Sequence, residues 1–83
     1  MKEVTFTKAA RNALVRMPSN DAQRIRSKID QYARDPASLA NNVITMKGEP
    51  FVRLRVGEWR VIMDDQGGVL DVLKIGPRGS IYG

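Results

Sequence analysis

The sequence predicts a small α+β domain in which an N-terminal helical hairpin packs on an antiparallel sheet, in the order β-α-α-β-β-β-β. Apolar residues recur at helical spacing between residues 8 and 35 and then form β-rich runs from residue 43 onward. The breaks between these later runs are short and rich in Gly, Pro and Asp, as in a meander of antiparallel strands. With 83 residues, 42% of them hydrophobic, the chain can build one core, so residues 1–83 are predicted to be a single domain.

The chain begins with a short strand that leads directly into a helix. Val4 and Phe6 alternate with polar residues in KEVTFT, which predicts a strand with one buried face. Thr7 is a suitable N-cap for a helix that continues through about Met17. Pro18 ends this helix.

The second helix is expected to start with Ser19 or Asn20 as its N-cap and to stop near Asp35. Gln23 follows Asn20 by three residues, as in a capping box. Its apolar stripe consists of Ile25, Ile29 and Tyr32. The outer face of the helical hairpin is basic and carries Arg11, Arg16, Arg24, Arg26, Lys28 and Arg34.

Four strands follow a polar connector, residues 37–42. They are predicted over residues 43–46, 51–56, 59–63 and 69–75, because each run is rich in β-branched and other apolar residues. Turns as short as these join antiparallel neighbours, so the four strands form a meander with the helices packed on one of its faces.

The dipeptide Gly57-Glu58 fixes the register of the central hairpin, because Gly at the first central position suits a type II′ turn. Arg55 is then opposite Arg60. The face that packs beneath the helices carries Val52, Leu54, Val56, Trp59, Val61 and Met63. The other face carries Arg53, Arg55 and Arg60.

The composition favours a negatively charged partner and excludes several kinds of site. Fourteen Lys and Arg residues against nine Asp and Glu residues give a formal charge of +5 and a pI near 10.1. With no cysteine and no histidine, disulfides, thiolate clusters and the common zinc sites are excluded, and we expect no metal and no cofactor. The start of the chain is not a signal peptide, and no apolar run approaches the ~20 residues of a membrane span. We expect a cytoplasmic protein with no membrane partner.

The facing pair Arg55 and Arg60 is unfavourable unless a negative group lies between the two side chains. A bound anion would supply that group. Alternatively Glu49, Glu58 or Asp71 neutralises the cluster, and the arginines are ordinary solvated residues of the sheet.

The C-terminal segment KIGPRGSIYG adds two cations and a phenol. Its Gly and Pro residues suit a turn back over the sheet, which would bring Lys74, Arg78 and Tyr82 to the arginine face. Tyr82 could instead cover only the edge of the core.

Taken together, these segments resemble the RelE/ParE superfamily of type II toxin–antitoxin systems. The resemblance is carried by residues 54–62 (LRVGEWRVI), residues 72–78 (VLKIGPR) and the final Ile81-Tyr82, and it extends to the ALVRMP that ends the first helix and to Met46-Lys47-Gly48. Although each motif is short, their order and spacing cover nearly the whole chain.

The resemblance implies one of two activities, each silenced by an antitoxin encoded beside the toxin. RelE-like members cleave mRNA in the ribosomal A site, without metal, through attack by a 2′-hydroxyl. By resemblance, the catalytic residues are Arg60, Arg78 and Tyr82, and the residues that bind nucleic acid are Lys47, Arg53, Arg55 and Lys74.

ParE-like members inhibit DNA gyrase without performing chemistry, and this is the alternative function. The chain stops one residue after Tyr82, whereas RelE-like enzymes often carry a longer basic C-terminal segment. We expect the partners to be the ribosome, mRNA and an antitoxin with an acidic or amphipathic segment over the basic sheet face, with DNA gyrase in the alternative.

Overall fold

The computed structural model describes residues 2–45 and 51–79, and within these ranges it contains the predicted elements in the predicted order. The elements are β1 (Glu3–Phe6), α1 (Lys8–Arg16), α2 (Ser19–Arg34), β2 (Val43–Thr45), β3 (Phe51–Val56), β4 (Trp59–Asp65) and β5 (Val69–Pro77), with a 3₁₀ segment, Pro36–Asn42, before β2. The α+β fold class is therefore confirmed.

The two helices begin in different ways. The predicted N-cap of α1 is confirmed, because the Thr7 hydroxyl accepts a hydrogen bond from the Ala10 N–H at 3.2 Å. The predicted side-chain cap of α2 is wrong: Pro18 occupies the cap position, and its carbonyl accepts hydrogen bonds from the N–H groups of Asp21 and Ala22, both at 3.0 Å. Since proline already has a helix-compatible φ of −55°, α2 begins directly after it, at Ser19.

The five strands form one mixed sheet in the order β1-β5-β4-β3-β2. The last four strands are the predicted antiparallel meander, and β1 joins as an edge strand parallel to β5. A parallel partner is possible because the whole helical hairpin intervenes between β1 and the rest of the sheet. In the β4–β5 ladder, Ile62 pairs with Lys74 and Met63 with Val72, so Leu73 is an extra residue in a bulge.

The core lies between the helical hairpin and one face of the sheet. The large side chains buried there completely are Ile25, Ile29, Leu54, Val61, Met63, Leu70 and Val72. Burying each contributes about 1.5–3 kcal/mol. The connector, predicted to be polar, also buries Leu39 in this core. No helix in the described ranges is long and apolar enough to cross a membrane.

A polar network ties the C-terminal half of α2 to the end of β4. The Tyr32 hydroxyl donates a hydrogen bond to Asp65 Oδ2 at 3.0 Å, and Lys2 Nζ lies 3.0 Å from Asp65 Oδ1. Burial, together with the Asp65 carboxylate, raises the pKa of Tyr32 from 10.0 to about 12. Burial alone would raise the pKa of Asp65, but hydrogen bonds from Lys2, Gly67 and Tyr32 outweigh it and lower that pKa. The network stabilises the end of the molecule that lies away from Gly57.

Candidate functional site

The helices cover only one face of the sheet, so the alternate side chains of the strands lie on an open face. Three rows of cross-strand neighbours follow one another on this face from the β3–β4 turn toward the β4–β5 turn. The rows are Arg55–Arg60–Gly76, then Arg53–Ile62–Lys74, then Phe51–Asp64–Asp71. Successive rows are about 7 Å apart, since two residues of a strand span that length. The cations are therefore concentrated toward the β3–β4 turn.

The hairpin register predicted from the sequence is confirmed at every pair from Val52–Met63 to Val56–Trp59. Gly57 has φ of +59°, as the first central residue of a type II′ turn requires, and no residue other than glycine has positive φ in the described ranges. Arg55 is opposite Arg60 as predicted, which places their Cα atoms about 4.5–5.5 Å apart.

Arg60 is held by the turn that precedes it. Its Nη1 donates hydrogen bonds to the carbonyls of Gly57 at 3.0 Å and Trp59 at 3.1 Å. These bonds fix one edge of the guanidinium near the turn. The remaining N–H groups of the fork can bind a phosphate or carboxylate.

Arg78 comes to the same end of the sheet through β5. Pro77 pairs with Trp59, and the Arg78 backbone N–H donates to the Glu58 carbonyl at 2.8 Å. Arg78 itself is exposed, and Gly79 follows with φ of +92°. The structure thus brings Arg55, Arg60 and Arg78 together around a single turn.

The other predicted site residues fall into two groups. Arg53 and Lys74 lie in the middle row of the open face, on either side of Ile62, with Arg53 half-buried and Lys74 exposed. The predicted catalytic Tyr82 and the predicted nucleic-acid-binding Lys47 lie outside the described residues.

The carboxylates in the described ranges do not neutralise the arginines at the turn. The ion pairs found there join Lys2 to Asp65 and Arg24 to Asp21. Asp71 is opposite Asp64 and accepts a hydrogen bond from the Thr5 hydroxyl at 2.9 Å.

The distances along the strands lead to the same conclusion. Asp64 is four residues, about 13 Å, from Arg60 along β4. Glu58 is exposed at the turn and forms no ion pair with the arginines, and Glu49 lies outside the described residues. The neutralising role that Asp71 or Glu58 was given as an alternative is therefore not observed, and the open face has a basic end and an acidic end.

Two features of the site were not predicted from the sequence. Arg24, from α2, lies close to Gly57, because a Cβ atom built there would be 3.3 Å from Arg24 Nη2. The second is the pairing of Asp64 with Asp71, which arises because the bulge at Leu73 shifts the register of β5. This pairing places negative charge at the end of the open face away from the arginines. Trp59 packs against the core, as predicted.

Comparison with solved structures finds proteins of the same fold. The chain is 25% identical to a chain of the archaeal RelE–RelB complex from Pyrococcus horikoshii OT3, with a TM-score of 0.75, covering 95% of this chain and 97% of that one. The intact E. coli RelBE toxin–antitoxin complex gives 15% identity, a TM-score of 0.75 and coverage of 93% and 96%. YafQ from E. coli gives 9% identity, a TM-score of 0.72 and full coverage of both chains.

No protein-family model matches the sequence, and no similar sequence is found among curated proteins. The resemblance to the RelE/ParE superfamily is confirmed on its RelE side, because the chain has the RelE fold over nearly its whole length.

Proposed function

We propose that this chain, which has the RelE fold, is the toxin of a type II toxin–antitoxin module and acts as a ribosome-dependent endoribonuclease. It inhibits translation by cutting mRNA without a metal ion. The structures of similar fold support the toxin assignment, since they include RelE in complex with RelB and an intact toxin–antitoxin complex.

One observation carries the proposal: three arginines meet on an open surface around one turn, with no carboxylate of the described ranges paired to them. Arg55 and Arg60 are cross-strand neighbours, and Arg78 is joined to the same turn through its backbone N–H. Like charges this close repel each other, so the arrangement favours an occupant with closely spaced negative charges. The phosphates of a single RNA strand meet this requirement and can reach an open sheet face.

In the proposed reaction, the 2′-hydroxyl of one nucleotide loses its proton and attacks the adjacent phosphorus. The bond from phosphorus to the 5′-oxygen of the next nucleotide breaks, and that oxygen takes up a proton. The products are a 2′,3′-cyclic phosphate and a free 5′-hydroxyl. Arg60 and Arg78 bind the non-bridging oxygens, whose negative charge increases in the transition state.

Proton transfer is assigned to residues other than histidine, because the chain contains none. Tyr82 is the proposed proton acceptor, a role that requires cations beside the phenol to lower its pKa from the usual value of about 10. Lys47, Lys74 or Arg78 supplies charge or a proton to the leaving oxygen. Arg53 and Arg55 bind flanking phosphates of mRNA or ribosomal RNA.

The proposed cellular partners follow from the same basic surface. An antitoxin encoded beside the toxin would place an acidic or amphipathic segment over the arginines and block access to RNA. The ribosome would present mRNA to the open face. Because the proposed mRNA cleavage takes place on translating ribosomes, we propose that the protein acts in the cytoplasm.

The proposal is tested in a purified translation system in which cleavage is mapped by primer extension. Wild-type protein is expected to cut a translated mRNA only when ribosomes are present. Arg60→Ala and Arg78→Ala are each expected to lower the cleavage rate about 10²–10³-fold, the usual cost of removing a donor that stabilises a developing anion. Tyr82→Phe is expected to abolish cleavage.

Arg11→Ala is the matched control, because Arg11 is an exposed cation on α1 in the helical layer. It is expected to retain cleavage. An intact mRNA in the presence of wild-type protein and translating ribosomes would contradict the enzyme assignment, and inhibition of DNA gyrase by the same preparation would replace it with the ParE-like activity.

A further inference from the structure

Arg24 of α2 lies against the tip of the central hairpin, although its helix belongs to the opposite layer. A Cβ atom at Gly57 would be 3.3 Å from Arg24 Nη2 and 3.8 Å from Arg24 Cζ. The guanidinium therefore lies close to the glycine, where a larger side chain would crowd it. The group lies near the turn and also faces solvent, since 56% of the Arg24 side chain is exposed.

The β3–β4 turn thus gathers arginines from α2, from β4 and from the segment directly after β5. Arg24 lies close to Gly57, whose carbonyl accepts a hydrogen bond from Arg60. The neighbouring carbonyl, of Glu58, accepts one from the backbone of Arg78. Positive charges converging on one turn repel one another, and anions bound among them would remove that cost.

The carboxylate that pairs with Arg24 in the described ranges is a weak competitor for such an anion. Asp21 Oδ1 lies 3.4 Å from Arg24 Nη2, at the long end of hydrogen-bonding distance, and the pair is partly exposed. Ion pairs exposed to solvent contribute little to stability. A phosphate group can accept two N–H bonds from the guanidinium fork and is the better partner.

We infer that Arg24 binds a backbone phosphate of the RNA next to the phosphate held by Arg60 and Arg78. The RNA strand then passes around the β3–β4 turn of the protein, from the open sheet face to the N-terminal part of α2. This inference rests on the proposed function, since it assigns the same RNA to a further residue. Arg24 contributes affinity and positions the RNA strand at the turn. It does not recognise any base.

The test measures how strongly the full-length protein binds a short 2′-O-methylated RNA as the salt concentration is varied. This RNA cannot be cleaved, because the attacking hydroxyl is blocked. Loss of one phosphate contact to a single strand makes the negative slope of log affinity against log salt shallower by about 0.7. This corresponds to about a fivefold loss of affinity at ~0.1 M salt. Arg24→Gln is expected to show this loss.

Two variants separate phosphate binding from a structural role of Arg24. Arg24→Lys keeps the charge and is expected to retain the wild-type slope. Arg34→Gln removes an exposed cation from the last turn of the same helix, about 15 Å farther along its axis, and is also expected to retain the slope. Thermal unfolding of each variant verifies that it is folded.

Asp21→Asn provides a change of opposite sign. Removing the carboxylate that pairs with Arg24 is expected to raise RNA affinity about twofold to fivefold, whereas Asp30→Asn, on an exposed position of the same helix, is expected to raise it less. If Arg24 only supported the turn, loss of Asp21 would not tighten RNA binding beyond the Asp30→Asn control.

The outcomes distinguish this inference from the proposed function. A wild-type slope for Arg24→Gln, or an equal loss for Arg34→Gln, overturns the role of Arg24 while mRNA cleavage by the wild-type protein stands. Failure of the wild-type protein to cleave mRNA on ribosomes, with the Arg24-dependent slope retained, overturns the nuclease and leaves Arg24 as a phosphate-binding residue.

Discussion

Replacing Gly57 with alanine is expected to destabilise the protein moderately and to impair the site more severely. An alanine at φ of +59° is strained by about 1–2 kcal/mol, and the reduced entropy of the unfolded chain offsets about 0.4–1 kcal/mol of this cost. The net loss is about 1 kcal/mol. For 83 residues, with an unfolding entropy of about 2.1 cal/mol/K per residue, this lowers Tm by about 6 °C.

The added methyl group also reaches Arg24 Nη2, 3.3 Å away, and the strained turn carries the carbonyl that holds Arg60. Because the end of the Arg24 side chain is flexible, the guanidinium can move away from the methyl group at little cost in stability. A displacement of about 1 Å in the groups that bind the reacting phosphate is expected to lower the cleavage rate by about tenfold to a hundredfold.

Gly67→Ala is the matched control for this prediction. Gly67 has φ of +83°, but a Cβ atom there would have no heavy atom within 4 Å, and the residue lies in the β4–β5 turn at the acidic end of the sheet. We expect a similar loss of Tm and an unchanged cleavage rate, with both rates measured well below Tm. Equal cleavage by the two variants would refute the positioning role of Gly57, and an unchanged Tm for both would refute the argument from strain.

Three further predictions concern the core and the polar network. Leu54→Ala, at a completely buried position, is expected to lower the free energy of unfolding by about 2–5 kcal/mol in a denaturant titration, and a loss below 1 kcal/mol would contradict the core described. Because the pKa of Asp65 is lowered on folding, its contribution to stability is present above the ordinary carboxyl pKa, near 4, and is lost as the pH falls through the folded value. Asp65→Asn should therefore flatten the acid side of the plot of stability against pH. An unchanged acid side would contradict this role of Asp65. Because the pKa of Tyr32 is raised to about 12, its contribution to stability is complete below pH ~10 and is lost as the pH rises toward 12. Tyr32→Phe should remove this loss of stability at alkaline pH and lower the free energy of unfolding by about 1 kcal/mol at neutral pH. If the variant lost as much stability at alkaline pH as the wild type, another group would be its cause.

The parts of the fold that were predicted correctly depend on local rules. Thr7 caps α1 because its hydroxyl reaches a backbone N–H three residues away, and Gly57-Glu58 fixes the hairpin register because a two-residue loop permits only one pairing. The facing pair of Arg55 and Arg60, the basis of the candidate site, follows directly from that register.

The features that were missed depend on long-range packing. The place of β1 beside β5 is set by the docking of the helical hairpin, and the bulge at Leu73 changes which residues of β5 face Asp64. The position of Arg24 close to Gly57 depends on how two layers pack and has no local signature in the sequence. The predicted start of α2 is wrong because Pro18, and neither Ser19 nor Asn20, is the N-cap residue.

In the proposed function, the arginines around the β3–β4 turn cut mRNA during translation. The most direct measurement is induction of this chain in growing cells, with new mRNA 5′ ends mapped and the DNA damage response followed in parallel. We expect cuts within translated codons that disappear in the Arg78→Ala variant and remain in the Arg11→Ala variant. Intact mRNA together with an SOS response in cells that express the wild-type chain would contradict it.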